Sequence, residues 1–220
     1  NCLIIGCGAI DSSYGDISAN NIVASDVDLH ILNDYHSKNP NISAVVADAK
    51  SLPFKSESIA QIQATHVIEH LDSVTTKLSM TEIHRVAKNG ANIDLATPHN
   101  NYEKVLTSLI VRYHSKDMHQ QTVDLEALSN LAENVQLKVV YKNTQRWDHA
   151  IKVIATAIAH RFKPRSVGFK PQVGFVVEHK MIGTTVTKNV LNSILNLMKP
   201  LSPILNKIIP YENLVIAQKQ

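Results

Sequence analysis

The sequence predicts an α/β domain built on a largely parallel sheet, and three observations carry that reading. Leu3-Ile4-Ile5 is an apolar run with no alternating polar residue, the pattern of a strand covered on both faces. The run stops at Gly6-Cys7-Gly8, where two residues without Cβ allow a tight turn and let a ligand approach the backbone. Two further runs, 21–26 and 42–48, each end in an aspartate, which suits a sheet whose ligands bind outside the carboxyl ends of the strands.

Composition narrows the class. With 220 residues, 44% hydrophobic and 19% charged, the chain suits one sizeable domain, 1–220, and its 5% aromatic content makes the core aliphatic. The net charge of +3 comes without a dense Lys/Arg run, so no nucleic-acid partner is expected. Cys2 and Cys7 share one strand and cannot staple distant parts of a fold, which points to a reducing compartment. No uncharged apolar stretch reaches the roughly 18 residues of a membrane span. The chain starts at Asn1, without Met and almost inside the first strand, so further sequence is expected before it.

In chain order, 9–17 carries Asp, Ser and Gly15 with little periodicity and is expected as a short, irregular helix. Asn21–Asp26 is the second strand. Asp26, eighteen positions beyond Gly8, is placed to accept both hydroxyls of a ribose, with Asp28 as its competitor. A dinucleotide fingerprint would need a third glycine where Asp11 stands. A carboxylate there opposes a diphosphate, so a nucleoside without phosphates fits better, unless Asp11 only caps a turn. Ile42–Asp48 is the third strand, with Asp48 positioned for an adenine amino group and Pro53-Phe54 as an apolar wall. Ile59–Thr65 is the fourth strand and leads into His66-Val67-Ile68-Glu69-His70-Leu71.

With these residues the chain resembles a class I S-adenosylmethionine-dependent methyltransferase of the type 11 group. The resemblance rests on Ile5-Gly6-Cys7-Gly8, Asp26, the stretch 48–54, the stretch 65–71 and the stretch 82–90, in the family's order and spacing over roughly residues 2 to 99. It implies a doubly wound, seven-stranded, mostly parallel sheet with the last strand antiparallel, the Rossmann-like methyltransferase fold, and S-adenosylmethionine as cofactor. The implied cofactor site consists of Gly6, Cys7 and Gly8 at the turn, Asp26 and Val27 at the ribose, Asp48 and Ala49 at the adenine, and His66 lining the pocket. The chain departs from the family pattern at Ile10, where a glycine is usual, and at Asn89-Gly90-Ala91, in place of Pro-Gly-Gly.

Beyond this, 74–88 is expected as a helix with Leu78, Ile83 and Val86 inward, Glu82 and Arg85 outward, and Gly90 as its stop. Ile93–Thr97 is the fifth strand. His99 and His70 are the candidate catalytic residues: both follow strands at the ligand edge, and the imidazole of His99 can take a proton from an acceptor. Glu69 opens a helix and suits its dipole. Helices are expected at 102–113 and 123–134, and strands at 135–141 and 211–217. His114 and His119 are five apart with no joining Cys or carboxylate set, so no metal is expected. Residues 147–210 form a helical C-terminal insertion or cap before the last strand. It alternates apolar runs with Pro164, Pro171, Pro200 and Pro203, and Arg161, Lys163 and Arg165 could hold an anionic group. The expected reaction is methyl transfer to a small-molecule, lipid-linked or sugar acceptor in the cytoplasm, with membrane-surface contact open. A non-catalytic scaffold of the same fold is the alternative, and no oligomeric state is assigned.

Overall fold

Alternate residues of the first strand, β1 (Cys2–Ile5), are buried on opposite sides of the sheet: Leu3 and Ile5 in one core, Cys2 and Ile4 in the other. A strand buried this way must lie inside a sheet with helices on both faces. The computed structural model describes residues 1–9, 21–102, 104, 119–152, 154 and 185–220. The expected helix after Gly8 keeps only a 3-10 turn, Cys7–Ala9, within that range. Most of the expected helix at 102–113, His114, and residues 155–184 of the insertion lie outside it.

Six strands join β1: β2 (Ile22–Asp26), β3 (Ser43–Val46), β4 (Ile59–Thr65), β5 (Ala87–Pro98), β6 (Leu137–Gln145) and β7 (Glu212–Lys219). The order is β3-β2-β1-β4-β5-β7-β6. Neighbours from β3 through β5 pair in parallel, and β7 runs antiparallel to both β5 and β6. This is the expected doubly wound sheet. The sequence places the third strand two residues too long at its carboxyl end and starts the sixth two residues early. β7 opens at Glu212 rather than Tyr211 and runs to Lys219.

Helix α1 (Leu29–Lys38) covers the Cys2/Ile4 face with Leu32. Helices α2 (Ser73–Val86) and α3 (Leu125–Glu133) cover the other through Met80, Ile83, Val86, Leu128 and Ala132. All three start the same way. Asp28, Asp72 and Asp124 stand just before the first turn, and their carboxylates accept from its otherwise unpaired amides. The described part of 185–208 is helical: α4 (Thr185–Met198), a 3-10 turn at Lys199–Leu201, and α5 (Ser202–Ile208). No helix of the described residues is long and apolar enough to cross a membrane.

Three details of α2 differ from the expectation. Leu78 is about half exposed, and the buried stripe runs through Thr76, Ser79, Met80, Ile83 and Val86. Gly90 is not the stop. The helix ends at Ala87, whose N–H donates to Ile83 O, and β5 begins at once. Gly90 instead takes φ +79 where the β4–β5 register shifts, a conformation that favours glycine. Glu82 and Arg85 do not simply face water. Glu82 Oε2 accepts from Leu52 N at 2.8 Å, and Arg85 donates to Phe54 O at 2.8 Å, to Leu52 O at 2.9 Å and to both Glu82 oxygens. The pair thus clamps the loop that follows Asp48.

Arg85→Met should lower stability by about 2 kcal/mol, because Leu52 O and Phe54 O lose charged donors. Urea denaturation measures the loss, and amide exchange at Leu52 should speed up. Wild-type stability with unchanged exchange would show that the clamp does not hold the loop.

Candidate functional site

The carboxyl ends of the parallel strands β1 to β5 lie along one edge of the sheet, and the candidate cofactor and catalytic residues end or follow those strands. Gly6 is required there for two reasons: its φ is +71, and a Cβ would sit 2.3 Å from Val67 Cγ2. At Gly8 a Cβ would meet Ile31 Cγ2 at 2.7 Å and come within 3.8 Å of Asp26 Oδ2. The space each glycine leaves is therefore taken first by protein, from the turn after β4 and from α1. What the turn offers a ligand is its backbone. Cys7 can contribute only backbone as well. Its side chain is buried beneath α1, where burial, together with nearby Asp26, pushes the thiol up to about 12.

Asp26 and Asp28 divide their roles. The Asp28 carboxylate caps α1, accepting from His30 N at 2.7 Å and from Ile31 N. Asp26 Oδ1 accepts from Asp28 N at 3.0 Å, and the carboxylate faces the glycine turn. The competitor is thus committed to a helix, and the acid opposite Gly8 is Asp26. Val27, exposed beside it, offers apolar surface. Asp48 Oδ1 accepts from Lys50 N at 3.1 Å, and its Oδ2 pairs with Lys50 Nζ at 3.3 Å. Ala49 packs partly against the core. An acid opposite a glycine turn fits the ribose of a nucleoside such as S-adenosylmethionine.

His66 is more enclosed than a pocket-lining residue. Its Nε2 lies 3.1 Å from Glu212 Oε2 and its Nδ1 lies 3.3 Å from Glu69 Oε1. Burial pushes its pKa down, but the hydrogen bond to Glu212 and the charges of both carboxylates outweigh this and raise it to about 9. Burial likewise pushes Glu212 up, and the charged ring brings it below its usual value. Gln145 Nε2 donates to Glu212 Oε1 at 2.8 Å. Tyr211 stacks near His66, Tyr102 and His149, with the Arg146 guanidinium over its ring. The sequence reading missed Glu212, Gln145, Arg146 and Tyr211 as site residues. No local signal marks them: Glu212 opens a strand that mixes apolar and polar residues, and nothing in it reveals His66 as the partner.

The two candidate catalytic histidines are placed differently. His99 Nδ1 accepts from Asn101 N at 3.1 Å, so the proton of the neutral ring sits on Nε2. Burial lowers its pKa and keeps it neutral. In this tautomer it is a donor toward a ligand rather than a ready base. His70 lies at the end of the 3-10 turn Ile68–His70, with its ring edge-on to His119.

Residues 3–94 match the family profile described as a methyltransferase domain. Among solved structures, the fold is shared with an S-adenosylmethionine-dependent methyltransferase from Archaeoglobus fulgidus, at 15% identity over 99% of this chain and 85% of that one, TM-score 0.56. It is shared with a putative sarcosine dimethylglycine methyltransferase from Galdieria sulphuraria, at 10% identity over 100% and 78%, TM-score 0.56. A geranyl diphosphate methyltransferase in complex with its methyl donor aligns at 8% identity over 100% and 78%, TM-score 0.58. No curated protein matches the chain. The profile match and the shared fold are consistent with a class I methyltransferase of the type 11 group, dependent on S-adenosylmethionine.

Asp26→Ala should raise the dissociation constant of S-adenosylhomocysteine at least about tenfold, or about 1.4 kcal/mol. Asp28→Ala should leave that affinity in place and lower stability by about 1 kcal/mol through the lost cap. Calorimetry and denaturation separate the two, and equal affinities for all three proteins would remove Asp26 from the site. For the buried charges, Glu212→Gln should lower the unfolding free energy by about 3 kcal/mol, since His66 loses its better-placed partner. A urea midpoint equal to wild type would mean that the pair carries no stability.

Proposed function

We propose that the chain methylates an apolar or amphipathic small-molecule or lipid-linked acceptor, held beneath a helical cap formed by residues 147–210. The observation that carries this reading is the row of apolar side chains on α4 and α5. Among the described residues Ile194, Leu197, Leu201, Ile204 and Ile208 are exposed, Leu197 at 82%, and Lys199 and Lys207 border the row. A face this apolar on a soluble surface is expected to cover something or to bind it.

The anchoring of these helices supports the same reading. Thr144 Oγ1 donates to Asn206 O at 2.6 Å, Asn206 Oδ1 accepts from Trp147 N at 3.1 Å, and Trp147 Nε1 donates to Ser202 Oγ at 2.9 Å. Ile208 and Ile209 line a small cavity with Asn101 and Tyr102, the residues just past β5. A cap over the acceptor has to meet the sheet at that edge.

S-adenosylmethionine supplies a methyl group on a positively charged sulfur, already activated for transfer. The chain's part is to align the acceptor and exclude water. Asp26, Val27, Asp48, Ala49 and the backbone of Gly6, Cys7 and Gly8 hold the donor in this reading. His99 Nε2 positions an acceptor oxygen by donating to it, and the charged His66 keeps the strand ends in place.

Methyl transfer from a labelled donor to a panel spanning long-chain amphiphiles, sugars and amino acids should label the amphiphiles. The double substitution Leu197→Asp with Ile204→Asp should lower kcat/KM for the labelled acceptor roughly tenfold or more while leaving S-adenosylhomocysteine affinity unchanged. Transfer confined to sugars or amino acids would overturn the reading. So would a double variant that turns over its acceptor normally yet no longer binds anionic vesicles, which would assign the face to a membrane.

A further inference from the structure

The turn after β4 sets a carboxylate and an imidazole side by side, Glu69 and His70, and a distant segment brings a second imidazole to them. Residues 119–121 return here through three hydrogen bonds to this turn and one to α2. Gln120 N and Gln121 N donate to Glu69 O at 2.8 and 3.3 Å. Gln121 Nε2 donates to Ile68 O at 2.9 Å and to Thr76 Oγ1 at 2.7 Å. His119 is thereby fixed beside the turn. One ligand atom from each of Glu69, His70 and His119 lies within 4.8 Å of the other two. His70 Nε2 is 4.0 Å from Glu69 Oε1, and the two imidazole rings meet edge to face with centroids 4.8 Å apart. A tetrahedral ion with bonds of about 2.1 Å sets its ligand atoms about 3.4 Å apart. Binding such an ion therefore requires the two rings to rotate toward Glu69.

Glu69 supplies the second observation. It is only 2% exposed, and among the described residues neither of its oxygens accepts a hydrogen bond. Its contact with His66 Nδ1, at 3.3 Å, is an ion pair of poor hydrogen-bond geometry, to a ring that Glu212 also engages. A buried carboxylate in this condition calls for a further partner. We propose that Glu69, His70 and His119 bind a divalent first-row transition-metal ion of the zinc class. Two imidazoles and one carboxylate are a donor set for such an ion. With three protein ligands, the fourth position is open to water or to an oxygen or nitrogen of a bound molecule, as in catalytic rather than structural zinc sites. The sequence did not suggest it because Glu69 and His70 lie fifty residues before His119, with no spacing motif joining them.

The test needs no methyl transfer. The full chain, stripped with a chelator, is titrated with Co²⁺ alone and followed by visible absorption. One equivalent should bind saturably and be displaced by Zn²⁺. His70→Ala and His119→Ala should each weaken binding roughly tenfold or more, since even partners outside the coordination sphere are worth that much. Their metal-free melting temperatures should match wild type, and His30→Ala, on the far helix α1, should bind normally. His70→Cys should add a near-ultraviolet thiolate-to-cobalt band, which reports ligation directly, whatever the variant's stability. Absence of saturable binding, full affinity in both alanine variants, or a cobalt-loaded His70→Cys without the new band would overturn the proposal.

Discussion

A buried charge cluster ties the two ends of this chain together. His66 follows β4, and Glu212, 146 residues later, opens β7. Neither group could be charged in that position alone, because burial penalises each charged form. Glu212 and Glu69 together raise the ring to about 9 despite its burial, and the charged ring, with Arg146 and Gln145, brings Glu212 below its usual value. The geometry depends on the direction of β7. A parallel last strand would bring its final residue to this edge. Antiparallel between β5 and β6, β7 brings its first residue instead, opposite Pro98 and Gln145. His66 itself takes φ +55, a left-handed conformation that costs a residue with a Cβ about 1–2 kcal/mol. Its N–H is held by Ala96 O at 2.9 Å, and the two carboxylates hold its ring.

What could be read from the sequence follows from the range of the signals it contains. Strands announce themselves locally, by apolar runs that end in polar residues, so the sheet was accessible, and with it the place of Asp26 at the end of β2. The glycine turn was found for a partly different reason. The sequence suggested room for a ligand, whereas Val67 and Ile31 fill the space beside the two glycines and leave the backbone to the ligand. Helical periodicity placed Ile83 and Val86 correctly. It failed at Leu78, which is half exposed, and at Glu82 and Arg85, because a loop from 30 residues upstream folds back over them. Glu212 and His119 were out of reach for a stronger reason. Each acts with a partner on a different element, and no local period encodes such a meeting.

The two halves of the edge are built from different materials, and this has a consequence for what can change. On the side proposed to hold the donor, the edge is built from a turn at positive φ, a backbone flanked by Val67 and Ile31, and one acid whose neighbour is committed to a helix cap. Each of those requirements is set by the fold, so few residues can substitute without strain. On the other side the surface comes from the helical segment 191–208, anchored by Trp147 to Ser202 and Asn206, with Ile194, Leu197, Leu201, Ile204 and Ile208 exposed. Exposed helical positions accept replacement at small cost. The family match over residues 3–94 ends before that second half begins. An acceptor pocket could therefore be rebuilt there without disturbing the donor site, provided Glu212 still reaches His66.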